Sequence, residues 1–384
     1  MTSIPQYEIE KDDLTGFSGQ SNIFATFGEV MVRETPADLE RLERTRKVHL
    51  SLAGSEFSLA VGLSRLGIPS TFVTRLPDNP YGWMVRDIAR ENGLDTGHIV
   101  WASKTDLIGR MLYEMGRTPR KSTVYYQRKY SAASRLNEGM VDWKAVLTGT
   151  RLFHTSGITF GLSTHSGYPT NFNYQAFLEA MQYKPADCRV GLDFNYRSTL
   201  WSRKQASSLM AKVIGDYVDI LNTTFADMAG LYGIPCGRYS VKEVLNGEMG
   251  QIEDDDIRKF AADVCEKFNV KIVTIPIRYA DSFENHRWES AAVDNEGHFF
   301  RSPAVKPIAL LDRLGGGDSW NSGFYYGLIT AGFTPDGMRK GVLVGDAVTR
   351  LKQTLMFDLP ILEKEEVSNL MKEDSSGSRN QVDR

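Results

Sequence analysis

Leu311-Asp312-Arg313-Leu314-Gly315-Gly316-Gly317-Asp318-Ser319-Trp320 opens a stretch, running to Thr330, on which the reading of the fold turns. Three consecutive glycines leave the backbone without Cβ atoms, so the chain can take positive φ and let a ligand approach its N–H groups. From Ser319 onward Trp320, Phe324, Gly327 and Leu328 fall at helix-face spacing. The glycines therefore precede a helix N-terminus, where unpaired N–H groups and the positive end of the helix dipole favour an anion such as phosphate. Asp318 follows at once, and a carboxylate repels an anion. Either it caps the helix, or it works on a proton while the N–H groups hold developing charge. This stretch alone leaves both open.

The 384 residues suit one large α/β domain. With 41% hydrophobic and 24% charged residues the composition is that of a soluble globular protein, and no apolar run has the length of a membrane span. A net charge of −3 without a dominant Lys/Arg cluster gives no support to a nucleic-acid partner. Cys188, Cys236 and Cys265 are widely separated and form no Cys-x-x-Cys pair, so they read as reduced, buried thiols, and a cytoplasmic location is expected. Residues 1–22 read as a loosely ordered extension and residues 373–384, rich in Ser, Asp and Gly, as a flexible tail.

Between these ends strand and helix patterns alternate. Ile23 to Val32 reads as a first strand, with Arg33 at its polar end. A second glycine turn, Gly54, feeds a small-residue helix to Leu66. Ile108 to Tyr113 and Ser122 to Arg128 read as a hairpin whose second arm, Tyr125-Tyr126-Gln127-Arg128-Lys129-Tyr130, faces either solvent or a ligand. The alternation after residue 150 predicts a mostly parallel sheet with helices on both faces. Ligands then sit outside the carboxyl ends of the strands, where Arg33, the 154–157 segment, Asp193 to Arg197 and Asp318 collect. Arg197 offers a planar fork suited to a carboxylate, with a structural helix-capping network as the competing reading. No Walker loop, no Gly-x-Gly-x-x-Gly after the first strand, no Gly-x-Ser-x-Gly elbow and no His or Cys cluster is present.

At this point the chain resembles the ribokinase-like (PfkB) carbohydrate kinases, in particular their ketodeoxygluconate branch, over about residues 23 to 372. The likeness rests on the Gly54 turn with its helix to Gly67 and on Asp312-Arg313-Leu314-Gly315-Gly316-Gly317-Asp318-Ser319. It is strengthened by the 126–134 segment, by His154-Thr155-Ser156-Gly157 and by Asp193-Phe194-Asn195-Tyr196-Arg197. The resemblance implies a three-layer ribokinase-like α/β fold, with a small β-lid formed from about 33–53 and 107–130 that closes over the sugar and mediates a homodimer or higher homo-oligomer. It implies ATP-dependent transfer of the γ-phosphate to the terminal (C6) hydroxyl of 2-keto-3-deoxygluconate or a similar acid sugar. Asp318 would be the general base and Gly315, Gly316 and Gly317 the anion hole. Gly54, Ser58, Tyr126, Arg128, Ile158 and Arg197 would contact sugar, Arg128 and Arg197 meeting its carboxylate, with Arg33 near a first-strand sugar position. Ile277, Arg278, Gly345 and Lys352 would contact ATP, and Asp227 would help hold Mg²⁺; a monovalent cation is a further cofactor the family allows.

The sequence departs from the family pattern at Ser58, where Asn is usual, at Met111, where the branch often has tyrosine, and at Thr224-Phe225-Ala226-Asp227, a shortened form of the metal-organising Asn-x-x-Glu. A fructokinase-like neutral-sugar kinase and a non-catalytic sugar or nucleotide sensor are the competing expectations on the same fold.

Overall fold

Along successive strands, neighbouring residues point into two different cores, which is what a sheet covered on both faces requires. Ala25, Phe153, Leu221 and Val273 pack in one core, while Phe24, Leu152, Ile220 and Ile272 pack in the other. A computed structural model of the chain describes residue 9 and residues 22–280, 285–303 and 308–376. The expected N-terminal extension, Ile9 and Asn22 apart, and the expected tail beyond Ser376 lie outside the described residues.

The large sheet runs, in spatial order, Phe299–Arg301, Asn285–Asp294, Ile272–Ala280, Ile220–Asn222, Arg189–Asp193, Leu152–Ser156, Phe24–Phe27 and Ser70–Val73, with Ile308–Ala309 pairing to Asn285–Asp294. From Ile272–Ala280 to Ser70–Val73 every neighbour is parallel, and the far edge is antiparallel. The mostly parallel sheet with helices on both faces is as the alternation predicts. Helices Phe172–Tyr183, Arg203–Tyr217 and Asp254–Phe268 supply one face, and Ser55–Arg65, Gly316–Ala331 and Pro335–Gln353 supply the other.

Two helices of the second face pack at backbone contact. A Cβ on Gly327 would lie 2.2 Å from the Gly341 nitrogen, so only hydrogen fits between them. That close approach fixes Gly316–Ala331 against Pro335–Gln353 and thus fixes the turn at its head.

The first strand is shorter than expected. It ends at Phe27, and the chain re-enters a strand only at Met31–Pro36, in a different sheet. A Cβ at residue 28 would lie 2.4 Å from the buried Glu56 carboxyl group, so only glycine lets that group close against the chain here. Met31–Pro36 joins Val48–Ala53, Gly109–Glu114 and Thr123–Gln127 in a separate four-stranded sheet. Residues 373–376 continue the last helix, Lys364–Ser376. All three cysteines are buried, and burial pushes the Cys188 and Cys236 thiols up to about 12 and Cys265 up to about 11.

Candidate active site

Gly315 is the N-cap of the Gly316–Ala331 helix and takes φ +74°, the left-handed region where glycine is at ease. A side chain there would also collide with the Asp358 carbonyl, 2.2 Å from a Cβ. The first intrahelical bond runs from the Ser319 N–H to the Gly315 carbonyl at 2.9 Å. The N–H groups of Gly317 and Asp318 thus have no intrahelical acceptor and face the helix's open end.

Asp318 sits half-buried in the first turn, where its Oδ1 accepts from the Ser55 hydroxyl at 2.6 Å. Ser55 opens the helix after Gly54 and in turn accepts from the Asn195 side-chain amide at 3.5 Å. Asn195 is held at φ +42°, so the loop after Asp193 is bent back toward this point. Three elements distant in sequence therefore meet at one carboxylate. Burial pushes the Asp318 pKa up, while the Ser55 hydrogen bond and the positive charges of Arg197, Lys352 and Arg278 pull against that rise.

Asp193 ends its strand level with Ser156 on one side and Asn222 on the other. Asn222 donates to Asn321 at 2.6 Å, and Asn321 donates to Asp193 at 3.5 Å, which ties the strand ends to the helix that carries Asp318. Burial and the nearby Asp318 charge both raise the Asp193 pKa, with Arg197 opposing. Asp227, in the first turn of Phe225–Tyr232, is pushed by burial up to about 6 despite Thr224 and Arg197. Arg197 lowers all three carboxylates, so its guanidinium stands within electrostatic reach of each; it is exposed and donates only to the Tyr196 carbonyl at 3.0 Å among its described hydrogen bonds. Arg278 is accessible yet walled by protein, and that desolvation, with Arg313 and Arg197 beside it, lowers its pKa. The result is a strand-end cleft in which three half-buried carboxylates lie within reach of the Arg197 charge, with Arg278 near Asp318 and Arg313 beside Arg278.

Several expected contacts lie elsewhere. Arg33 does not face the cleft: it is fully buried, donating to Asp312 and Asp358, each at 2.6 Å, and stacked 4.5 Å from the Tyr113 ring centre. Arg128 is spent on Glu29, with Nε to Oε2 at 2.7 Å, and both side chains are buried. Ser58 is fully buried one turn below Gly54, its hydroxyl without a hydrogen-bond partner among the described residues. Ile277 and Gly345 are buried, Ile277 in the core beneath the sheet and Gly345 against Trp320. Lys352 is fully buried and donates to the carbonyls of Asp312, at 3.0 Å, and Leu314. A buried group has no surface to offer a nucleotide, so these three are corrections to the expected ATP contacts. Ile158 packs half-buried against the core, and Tyr126 is 40% exposed on the small sheet, opposite the buried Met111.

The sequence reading did not single out Ser55, Asn321 or Asp358. Ser55 lies inside the Gly54 turn and was within reach of a motif argument. Asp358 lies in Phe357-Asp358-Leu359-Pro360, which carries no local signal.

A family model described as "pfkB family carbohydrate kinase" matches residues 24–249. The chain is 27% identical over 358 residues to 2-dehydro-3-deoxygalactonokinase of Haloferax volcanii, covering 92% of this chain and 97% of that protein. It is 24% identical over 304 residues to a 5-dehydro-2-deoxygluconokinase of Clostridium botulinum, covering 79% of each. Among solved structures, 2-dehydro-3-deoxygluconokinase from Thermotoga maritima superposes with a TM-score of 0.78 at 29% identity, covering 91% of this chain and 98% of that one.

Proposed function

The chain belongs to the pfkB family of carbohydrate kinases, and from that premise we propose that it transfers the γ-phosphoryl group of ATP to the terminal hydroxyl of a keto-deoxy acid sugar of the 2-keto-3-deoxygluconate type. The observation that carries this reading is the meeting, at one helix end, of the Asp318 carboxylate with N–H groups that have no intrahelical acceptor. Phosphoryl transfer asks the protein mainly for position and charge stabilisation. Asp318 takes the proton from the sugar hydroxyl. The oxygen so freed bonds to the γ-phosphorus as the bond to the bridging oxygen breaks, and ADP leaves with that oxygen. The N–H groups of Gly317 and Asp318 hold the charge on the equatorial oxygens.

A carboxyl group with a raised pKa is a stronger base than an ordinary aspartate, provided it stays ionised. Ser55 and the surrounding cations serve that condition, since each favours the ionised form of Asp318. Asp193 and Asp227 fit Mg²⁺, which binds through one or two carboxylates and keeps most of its water. Asp193 and Asp227 would hold Mg²⁺ through its waters, and the ion would supply positive charge that offsets the negative charge of the transferring phosphoryl group.

The acid-sugar assignment draws on charge and on the relatives. Glu29 neutralises Arg128, so the carboxylate of the substrate falls to Arg197, on the accessible side of the cleft. The names of both relatives and of the solved structure refer to kinases of dehydro-deoxy sugar acids. The test is Asp318→Asn, which keeps the shape and removes the base. A fall in kcat of about 10²- to 10⁴-fold with intact folding is expected; near wild-type turnover would refute the role of Asp318.

A further inference from the structure

Behind the glycine turn, away from the cleft, four charged side chains are sealed in the protein: Arg33, Asp312, Lys352 and Asp358. Arg33 satisfies both carboxylates, and Asp312 also accepts from the main-chain N–H groups of Leu314, at 3.0 Å, and Phe357, at 3.2 Å. Lys352, in the last turn of Pro335–Gln353, is different. Its ammonium is hydrogen-bonded to two main-chain carbonyls, those of Asp312 and Leu314, and not to a carboxylate. A buried monocation held by backbone carbonyl oxygens is the arrangement that an alkali ion adopts when carbonyls replace its water.

The peptide plane gives this contact a consequence on the other side of the turn. In a trans peptide the carbonyl of one residue and the N–H of the next point in opposite directions. Lys352 draws the Leu314 carbonyl away from the cleft, so the Gly315 N–H is turned toward it. One helix turn earlier, the Thr349 hydroxyl does the same to the Gly316 carbonyl at 2.8 Å, which turns the Gly317 N–H outward. Lys352 also contributes positive charge felt by Asp318.

We propose that the Lys352 ammonium is a tethered monovalent cation for the phosphoryl-binding turn: through the Leu314 carbonyl it orients the Gly315 N–H beside the donors of Gly317 and Asp318, and it makes turnover independent of added alkali ions. This inference rests on the reading of Asp318 and the glycine turn given above. Lys352 is a positioning residue, since it touches the turn and not the reacting atoms. It replaces the expectation of a nucleotide contact at Lys352 and of a separate monovalent cofactor.

The experiment measures ADP release by the full chain with Mg-ATP and 2-keto-3-deoxygluconate in buffers whose only monovalent cation is potassium, sodium or tetramethylammonium. Wild-type kcat should agree within about twofold across the three, whereas a tethered group of this kind, once lost, costs on the order of 10²-fold in kcat, the scale of losing one anion-hole donor. Lys352→Ala should show that loss with little change in KM for the sugar, and ammonium chloride should restore part of it where tetramethylammonium chloride, too large for the vacated space, does not. A wild-type enzyme that requires potassium overturns the proposal, as does a folded Lys352→Ala chain with full turnover or without ammonium rescue. If Lys352→Ala does not fold, the wild-type ion series alone decides. Asp318→Asn in the same buffers keeps the two readings apart. An active Asp318→Asn chain overturns the site assignment, whereas failed rescue of Lys352→Ala beside an inactive Asp318→Asn chain overturns only the inference about the cation.

Discussion

Replacing Arg33 by methionine removes the cation that two buried aspartates share. Arg33 and Asp312 have no exposed side-chain surface and Asp358 only 10%, so water cannot take the place of the guanidinium. Breaking a buried pair by removing one partner costs about 3–5 kcal/mol, because a charge is left without compensation. The upper part of that range is expected here, since two carboxylates lose their partner and Lys352 alone remains to balance them. Burial already raises the Asp358 pKa and Arg33 opposes the rise, so without Arg33 the carboxyl rises further. At acid pH it is then protonated and the damage shrinks; at alkaline pH it must be ionised and the damage grows. Urea unfolding followed by tryptophan fluorescence, at two pH values, measures both effects. In the temperature range where the variant stays folded, its KM for the acid sugar should not be singled out, because Arg33 does not face the cleft. A loss below about 1 kcal/mol, the scale of a surface pair, together with a selective rise in KM, would refute the reasoning and return Arg33 to the sugar.

Ser55→Ala removes a hydrogen bond that favours ionised Asp318, so the acidic limb of the kcat/KM profile should move to higher pH; an unmoved limb would disconnect Ser55 from the base. Asp346, pushed by burial up to about 7, holds its proton in the folded chain where an unfolded aspartate does not. Its contribution to stability is full below about pH 4 and is lost as the pH rises through about 7, by at most about 1.4 kcal/mol per pH unit. Asp346→Asn should flatten that slope in urea unfolding at pH 5 and pH 8, and an unchanged slope would assign it to another group.

What could be read from sequence was what local pattern encodes. The Gly315 to Asp318 turn declares itself because three glycines and a helix start are adjacent, and the parallel sheet follows from repeated strand and helix patterns. The position of Arg197 beside Asp193 and Asp318 was legible because it follows a strand end together with Asp193 and Asn195. The arginines that turned out otherwise share one cause. Arg33 meets Asp358 across 325 positions and Arg128 meets Glu29 across 99, and nothing near an arginine in sequence tells a substrate carboxylate from a protein one. Gly345 and Lys352 were misread for a related reason. The helix that carries them lies beside the glycine turn, but its near face is used for backbone packing and for holding carbonyls. Ser55 was missed because its partner Asp318 comes from the other end of the chain, although both sit in the two stretches that bear the family resemblance.

The central claim is that Arg197 and Asp318 together make an acid-sugar kinase. Its most direct measurement is ADP formation from Mg-ATP with 2-keto-3-deoxygluconate, fructose and ribose as acceptors, for the wild type and for Arg197→Ala. The wild type should prefer the acid sugar, and Arg197→Ala should lose about 10²-fold or more in kcat/KM for it, a charge-assisted bidentate contact being worth about 3 kcal/mol, while its weak turnover of the neutral sugars changes little. Equal losses on all three acceptors, or a wild type that favours fructose or ribose, would contradict the account.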